Sequence, residues 1–244
     1  MDIPIGALVA SPEQWAVYDS LELIAELYNY SHWIFSRIRP FIHGEVCEVG
    51  CGIGNITQFL LNQQRVVGIE PEAEFAQLAR RRFADHRNVV IERFALEQCP
   101  NDKVAAESFD TVICINVLEH IEQDVEALGR MKQLVRPGGR VVIFVPAHMS
   151  LYGSLDRALG HCRRYSRRSL ARVFSQAGLS VGRSFYMNAV GCFGWLWSGC
   201  ILRRQRIGPM AAQGFEKLVP FVDAFERIIR PPFGQSLVMT GSVT

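Results

Sequence analysis

The residues with the most chemical content lie in one short stretch, Glu48-Val49-Gly50-Cys51-Gly52-Ile53-Gly54-Asn55. Glycines at 50, 52 and 54 follow an apolar run that reads as a strand. Glycine reaches backbone angles closed to other residues and, lacking Cβ, lets a ligand approach the main chain. The spacing is GxGxG, not the GxGxxG of dinucleotide binders. A helix expected over residues 55–62 would aim its N-terminal N–H groups at the same place, which favours an anionic group such as a carboxylate. A second signal is Glu70, at the end of the next apolar run in Gly68-Ile69-Glu70-Pro71. A carboxylate there can accept both hydroxyls of a ribose. The plainer readings are a tight turn and a solvated strand-end acid. The strand–turn–helix context and the short distance between the two features favour a ligand.

These residues need a frame. From residue 45 the chain alternates short β-branched runs with amphipathic ones. Strands are expected over residues 45–49, 65–70, 89–93, 109–115 and 140–145, and helices over 55–62, 72–84 and 119–135. Pro137-Gly138-Gly139 is read as the end of the last of these helices. Such alternation builds a mostly parallel sheet covered on both faces. Ahead of it, Ser11, Pro12 and Gln14 form a capping pattern for a first helix that runs past Trp33 to Pro40. Beyond it, a helix over residues 169–176 and strands over 179–186 and 236–243 complete the pattern. Four segments result: an N-terminal helical cap (1–40), a core (41–186), an apolar helical insertion that serves as a substrate lid (187–234) and a final strand (235–244).

Bulk properties narrow the class. The 244 residues are 49% hydrophobic and 20% charged, which suits one folded α/β domain with elaborations. A net charge of +2 lacks the basic excess of a nucleic-acid binder. Seven cysteines, none in a CxxC pair and none at metal-ligating spacing, read as reduced thiols, and no metal site is expected. With no signal-peptide pattern at the start, the chain reads as cytoplasmic. Residues 185–202 are uncharged and are followed by Arg203, Arg204 and Arg206. Polar and glycine residues dilute this run, so a buried helix or pocket wall is expected before an interfacial contact, and either before a membrane span.

Four stretches in order, Glu48–Asn55, Gly68–Glu70, Phe109–His120 (FDTVICINVLEH) and Leu134–Pro146 (LVRPGGRVVIFVP), resemble the successive motifs of class I S-adenosylmethionine-dependent methyltransferases. Tyr152–Asp156, Gly160–Tyr165 and Tyr28-Asn29-Tyr30 with Trp33 are similar to a bacterial subgroup of that family. The resemblance implies a Rossmann-like, seven-stranded sheet and S-adenosyl-L-methionine as cofactor, with S-adenosyl-L-homocysteine as product. It implies that Glu48, Gly50, Cys51, Gly52 and Gly54 hold the methionine part, that Glu70 beside Pro71 holds the ribose, and that Asn116 and Val117 end the fourth strand against the cofactor. Phe94, Ala95 and Leu96 would flank the adenine. There this chain departs from the aspartate-plus-aliphatic pattern of many relatives.

Methyl transfer from a sulfonium needs alignment, exclusion of water and, for some acceptors, removal of one proton. His161, Tyr152 and His120 are the candidates for that proton, each with a structural role as the alternative. Arg163 and Arg164 could clamp an anionic group of the acceptor, with Tyr165, Tyr186 and Trp195 as an aromatic wall; solvated arginines and core aromatics are the plainer readings. The expected reaction is methylation of a small molecule, aromatic or amphiphilic, on oxygen. The rivals are a C- or N-methyltransferase acting on an indole-type metabolite, a peripheral-membrane enzyme acting on a lipid-linked sugar or quinone precursor, and a cofactor-binding protein without turnover.

Overall fold

A computed structural model describes residue 23 and residues 26–98 and 106–243. The expected cap at Ser11 lies outside the described residues, as does Cys99. The first described helix, α1, runs Tyr28–Ile38.

Strands β1 (Glu45–Val49), β2 (Arg65–Ile69), β3 (Val89–Glu92), β4 (Phe109–Ile115), β5 (Val135–Pro146), β6 (Ser180–Met187) and β7 (Ser236–Ser242) form one sheet in the order β3-β2-β1-β4-β5-β7-β6. The first five pair in parallel, and β7 runs antiparallel between β5 and β6. The expected seven-stranded, mostly parallel sheet is thus observed. Its two-residue period separates two cores. Cys47, Val49, Val112 and Cys114 face one, with α3 (Asp124–Leu134) and α5 (Arg167–Gln176). Val46, Ile113 and Ile115 face the other, with Trp33, Ile34 and Ile38 of α1. Strands covered on both faces have no need of a polar side, which is why β4 carries the continuous apolar run Val112–Ile115.

Three elements differ from expectation. Residues 55–62 form turns and a single 3-10 turn, Thr57–Phe59, instead of a helix. The Thr57 hydroxyl donates to buried Glu48 at 2.6 Å. The α-helix N-terminus expected at Asn55 is therefore not formed. Residues 118–120 form a separate 3-10 turn, and α3 starts at Asp124. Pro137-Gly138-Gly139 sits inside β5, where the register against β4 shifts between Phe109 and Thr111, so it makes an irregularity in a strand and not a helix end.

Helix α2 (Ala73–Arg82) connects β2 and β3, and α4 (Ser154–Ala158) lies in the loop after β5. Between β6 and β7 lie α6 (Ala189–Trp195), a π-helical turn (Leu196–Ile201) and α7 (Pro209–Ile229). Helix α7 lies along α1. Glu216 accepts the Asn29 and Tyr30 amides at 2.5 and 3.1 Å, and Arg227 donates to Ser36 at 2.9 Å. Glu226, buried, accepts the backbone amides of Asn188 and Ala189 at 3.0 and 2.7 Å where α6 begins. Asn188 takes φ +63° there, a conformation asparagine tolerates, and its Oδ1 accepts the Gly191 amide. Glu226→Ala orphans two buried amides and should lower stability in urea by about 2–4 kcal/mol. Amide exchange should accelerate first at residues 188–191, and unchanged exchange there would show that Glu226 does not anchor α6.

Candidate functional site

The glycine turn is built by backbone geometry. Gly50, Gly52 and Gly54 all have positive φ (72°, 54° and 88°). The amides of Gly50 and Cys51 both donate to the Ile69 carbonyl, which folds the turn against the end of β2. A Cβ on Gly50 would lie 2.3 Å from Val117 Cγ2, so the turn also touches the end of β4. Asn116, immediately before, has φ +54°, and its amide donates to the Phe144 carbonyl at 2.8 Å. The ends of β1, β2 and β4 therefore meet at one place.

Two buried carboxylates flank that place. Glu48 shares the sheet face of Val46 and is tied to Thr57. Burial pushes its carboxyl up to about 8, against the counter-effect of the Thr57 hydrogen bond. Glu70 is also buried and raised by desolvation, and it accepts the amides of Gly52 (2.8 Å) and Glu72 (3.0 Å). Two desolvated acids side by side favour a cationic, hydroxyl-bearing ligand. S-adenosylmethionine carries a sulfonium, an ammonium and a ribose diol, so the donor set fits it. Cys51 is buried beneath the turn, whereas Pro71 is exposed. Phe94 and Leu96 are buried in the same core as Val49 and Ile69, with Ala95 between them half-buried.

The remaining candidates gather around Asp156, a fully buried carboxylate. It accepts from the Gly153 amide (2.9 Å), Arg164 Nε (2.7 Å) and Trp195 Nε1 (3.1 Å), and His161 Nδ1 lies 3.0 Å away. Burial alone would raise its pKa, but the His161 and Arg164 contacts outweigh it and hold the carboxyl down at about 2. An ionised Asp156 can only accept, so His161 Nδ1 carries the hydrogen, and in the neutral ring Nε2 holds the lone pair. That Nε2 lies 3.9 Å from Glu119 Oε1. Glu119 is wholly buried, neither carboxylate oxygen has a hydrogen-bond partner among the described residues, and burial pushes it up to about 8. The His120 ring meets His161 edge-on at 4.8 Å. Desolvation by its packed surroundings and the proximity of His161 pull it down to about 4, although the residue still reaches solvent. The ligand atoms of Glu119, His120 and His161 all lie within 4.8 Å of one another, close enough to share a proton or a divalent cation.

Other expected roles are redirected. Tyr152 donates its hydroxyl to the His161 carbonyl at 2.7 Å and so braces that loop. Both guanidiniums of the expected anion clamp, Arg163 and Arg164, make contacts within the protein, although buried Arg164 Nη2 has no hydrogen-bond partner among the described residues. Arg163 pairs with Asp124 (2.7 Å) and donates to the Glu122 carbonyl. Arg164, fully buried, pairs with Asp156 and donates to the Ala147 carbonyl, with its guanidinium 4.7 Å from the Trp195 ring centre. Tyr165 is buried and donates to Asp124 at 2.9 Å, and Tyr186 is buried against His148 and Arg167. Asp156, Glu119 and Thr57 had no expected role. The signal for Asp156 was local, since it precedes His161 by five residues and Arg164 by eight, but Glu119 meets His161 only through the fold.

Comparison with known proteins agrees with this geometry. A family model described as a methyltransferase domain matches residues 47–141. An uncharacterized methyltransferase of Anoxybacillus flavithermus is 30% identical over 139 residues, covering 53% of this chain and 63% of that protein. The thiol S-methyltransferase TMT1B of Mus musculus is 31% identical over 111 residues, covering 43% of this chain and 46% of that protein. The chain thus spans less than two thirds of these relatives. A putative methyltransferase of Haloferax volcanii, solved in complex with the Trm112 methyltransferase activator, superposes with a TM-score of 0.63 at 18% identity, covering 94% of each chain, a likeness of fold. The family match covers residues 47–141, under half of the chain, and there, with the sheet order and the glycine turn, the chain is similar to S-adenosylmethionine-dependent methyltransferases.

Proposed function

We propose that the chain transfers the methyl group of S-adenosylmethionine to an oxygen atom of a small acceptor bound beside His161. The observation that carries this reading is the Asp156–His161 pair, which leaves an imidazole lone pair on the acceptor side of the glycine turn. The chain of contacts is short: Gly50 against Val117, then Leu118–His120, then His161.

The cofactor supplies an electrophilic methyl group on sulfur. Glu48 and Glu70 provide the negative charge that balances its cationic centre and, at Glu70, acceptors for its ribose hydroxyls. With the cofactor bound, the hydroxyl proton of the acceptor would pass to His161 Nε2 as its oxygen takes the methyl group from sulfur. Asp156 holds the ring in the required tautomer and stabilises the imidazolium. A neutral amine needs no base before it attacks, whereas a hydroxyl does. The oriented base therefore supports oxygen as the acceptor atom.

Methyl transfer should be measured on acceptors of matched shape bearing a hydroxyl, a thiol or an amine. The hydroxyl compound should be the preferred acceptor, and exclusive methylation of the amine would overturn the reading. His161→Ala should lower kcat by roughly 10²–10⁴-fold, with the affinity for S-adenosylhomocysteine nearly unchanged. A variant that retains full kcat would remove His161 from the mechanism.

Glu48 yields a pH dependence. Its carboxyl is raised in the fold from 4.5 to about 8, so its contribution to stability is fully present below pH 4.5 and is lost as pH rises towards 8. Without cofactor, Glu48→Gln should therefore gain on the parent by roughly 2–4 kcal/mol between pH 5 and pH 8, while its affinity for the cationic cofactor falls. Parallel stability profiles across that range would show that Glu48 is not the buried titrating group.

A further inference from the structure

The insertion between β6 and β7 is not the buried wall that its composition suggests. Eighteen large hydrophobic side chains are exposed among the described residues, and fourteen of them fall between Val190 and Phe233. Met210 is 88% exposed, Ile228 83%, Phe221 75% and Phe193 66%. In α7 only Ala212, Val219 and Glu226 are buried, a seam one residue wide at seven-residue spacing. At about 100° per residue, Met210, Leu218, Phe221, Phe225, Ile228 and Ile229 fall in one sector of the helix that contains no charged residue. Trp197, Ile201 and Leu202 add a second exposed run, and α6, which precedes it, begins on Glu226 of α7. Patches of this extent on a folded chain mark a surface that meets something apolar.

The charges indicate what that is. Residues 189–230 hold six basic and three acidic side chains. All six basic residues, Arg203, Arg204, Arg206, Lys217, Arg227 and Arg230, are exposed, although Arg227 is turned to Ser36 of α1 and paired with Asp223. None of the acids is exposed. Glu226 is buried, Asp223 pairs with Arg37 and Arg227, and Glu216 accepts amides of α1. An apolar face with outward cations and inward acids complements an anionic lipid surface. A two-fold contact with a second copy would instead bring like charges together. Among the described residues no helix is long and apolar enough to cross a membrane, so the elements lie on a bilayer and do not span it.

We propose that the exposed face of residues 190–233 docks the protein on an anionic bilayer, with α7 lying in the interface. Trp195, in α6, donates to Asp156, which in turn orients His161, so the docking elements and the acceptor side are joined by direct bonds. Resting on the methyl-transfer reading above, the acceptor is then an amphiphile presented at the membrane.

Vesicle flotation tests docking without reference to catalysis. The full chain should float with vesicles containing phosphatidylglycerol, float far less with pure phosphatidylcholine, and lose binding as salt is raised. The double variant Phe221→Glu/Ile228→Glu changes two exposed positions, so folding and S-adenosylhomocysteine binding should persist while flotation falls about tenfold or more. Two results would overturn the proposal: no flotation with either vesicle, or a parent dimer that this variant converts to monomer without any lipid binding. Flotation without methyl transfer to any amphiphile would leave docking standing and remove the catalytic reading alone.

Discussion

One buried carboxylate joins parts of the chain that the topology otherwise keeps apart. Asp156 lies in the short helix after β5 and takes hydrogen bonds from the start of its own helix, from Arg164 and His161 in the following loop, and from Trp195 in the insertion. A buried ion with one partner is costly, whereas one that is fully hydrogen-bonded and paired with a guanidinium is tolerated and fixes geometry. Arg164 is itself held by the Ala147 carbonyl at the end of β5 and stacks beside Trp195. The end of β5, the loop of residues 161–164 and the insertion thus share one electrostatic centre, which places the hydrogen on His161 Nδ1.

The cofactor end works by the opposite principle. Glu48 and Glu70 are desolvated acids, and burial raises both. Their environment is unfavourable to charge until a cation arrives, so part of the stability of the ligand-free fold is held back to favour ligand binding. The glycine turn brings backbone amides and both acids to the junction of three strand ends, the usual ligand position in open α/β sheets. On the proposed reading, chemistry occurs between an acid-lined cofactor end and a base-bearing acceptor end, with Val117 to His120 as the connecting segment.

Much of this was legible in the sequence, and the exceptions have physical causes. β4 was clear because a strand buried on both faces leaves the uninterrupted apolar run Val112–Ile115, and the turn at Gly50–Gly54 was clear because alternate glycines permit its positive φ values. The helix expected at 55–62 was not formed, with Thr57 bonded to an acid nine residues earlier, a partner that no local pattern predicts. Pro137-Gly138-Gly139 carries a helix-stop signal, yet the sheet absorbs it as an irregularity because Val135 already pairs with Phe109. Arg163 and Arg164 looked free to bind an anion, and only the fold supplies Asp124 and Asp156 as partners. The aromatic residues after Tyr186 looked like core, since composition records how apolar a segment is and not whether anything covers it.

If Glu48, the glycine turn and Glu70 form a site for S-adenosylmethionine, calorimetric titration of S-adenosylhomocysteine and a nicotinamide dinucleotide into the parent chain and Glu70→Ala tests it most directly. Tight binding of S-adenosylhomocysteine alone is expected, weakened by about 1.5–3 kcal/mol in the variant. Binding of the nicotinamide dinucleotide instead, or an unchanged affinity in Glu70→Ala, would contradict it.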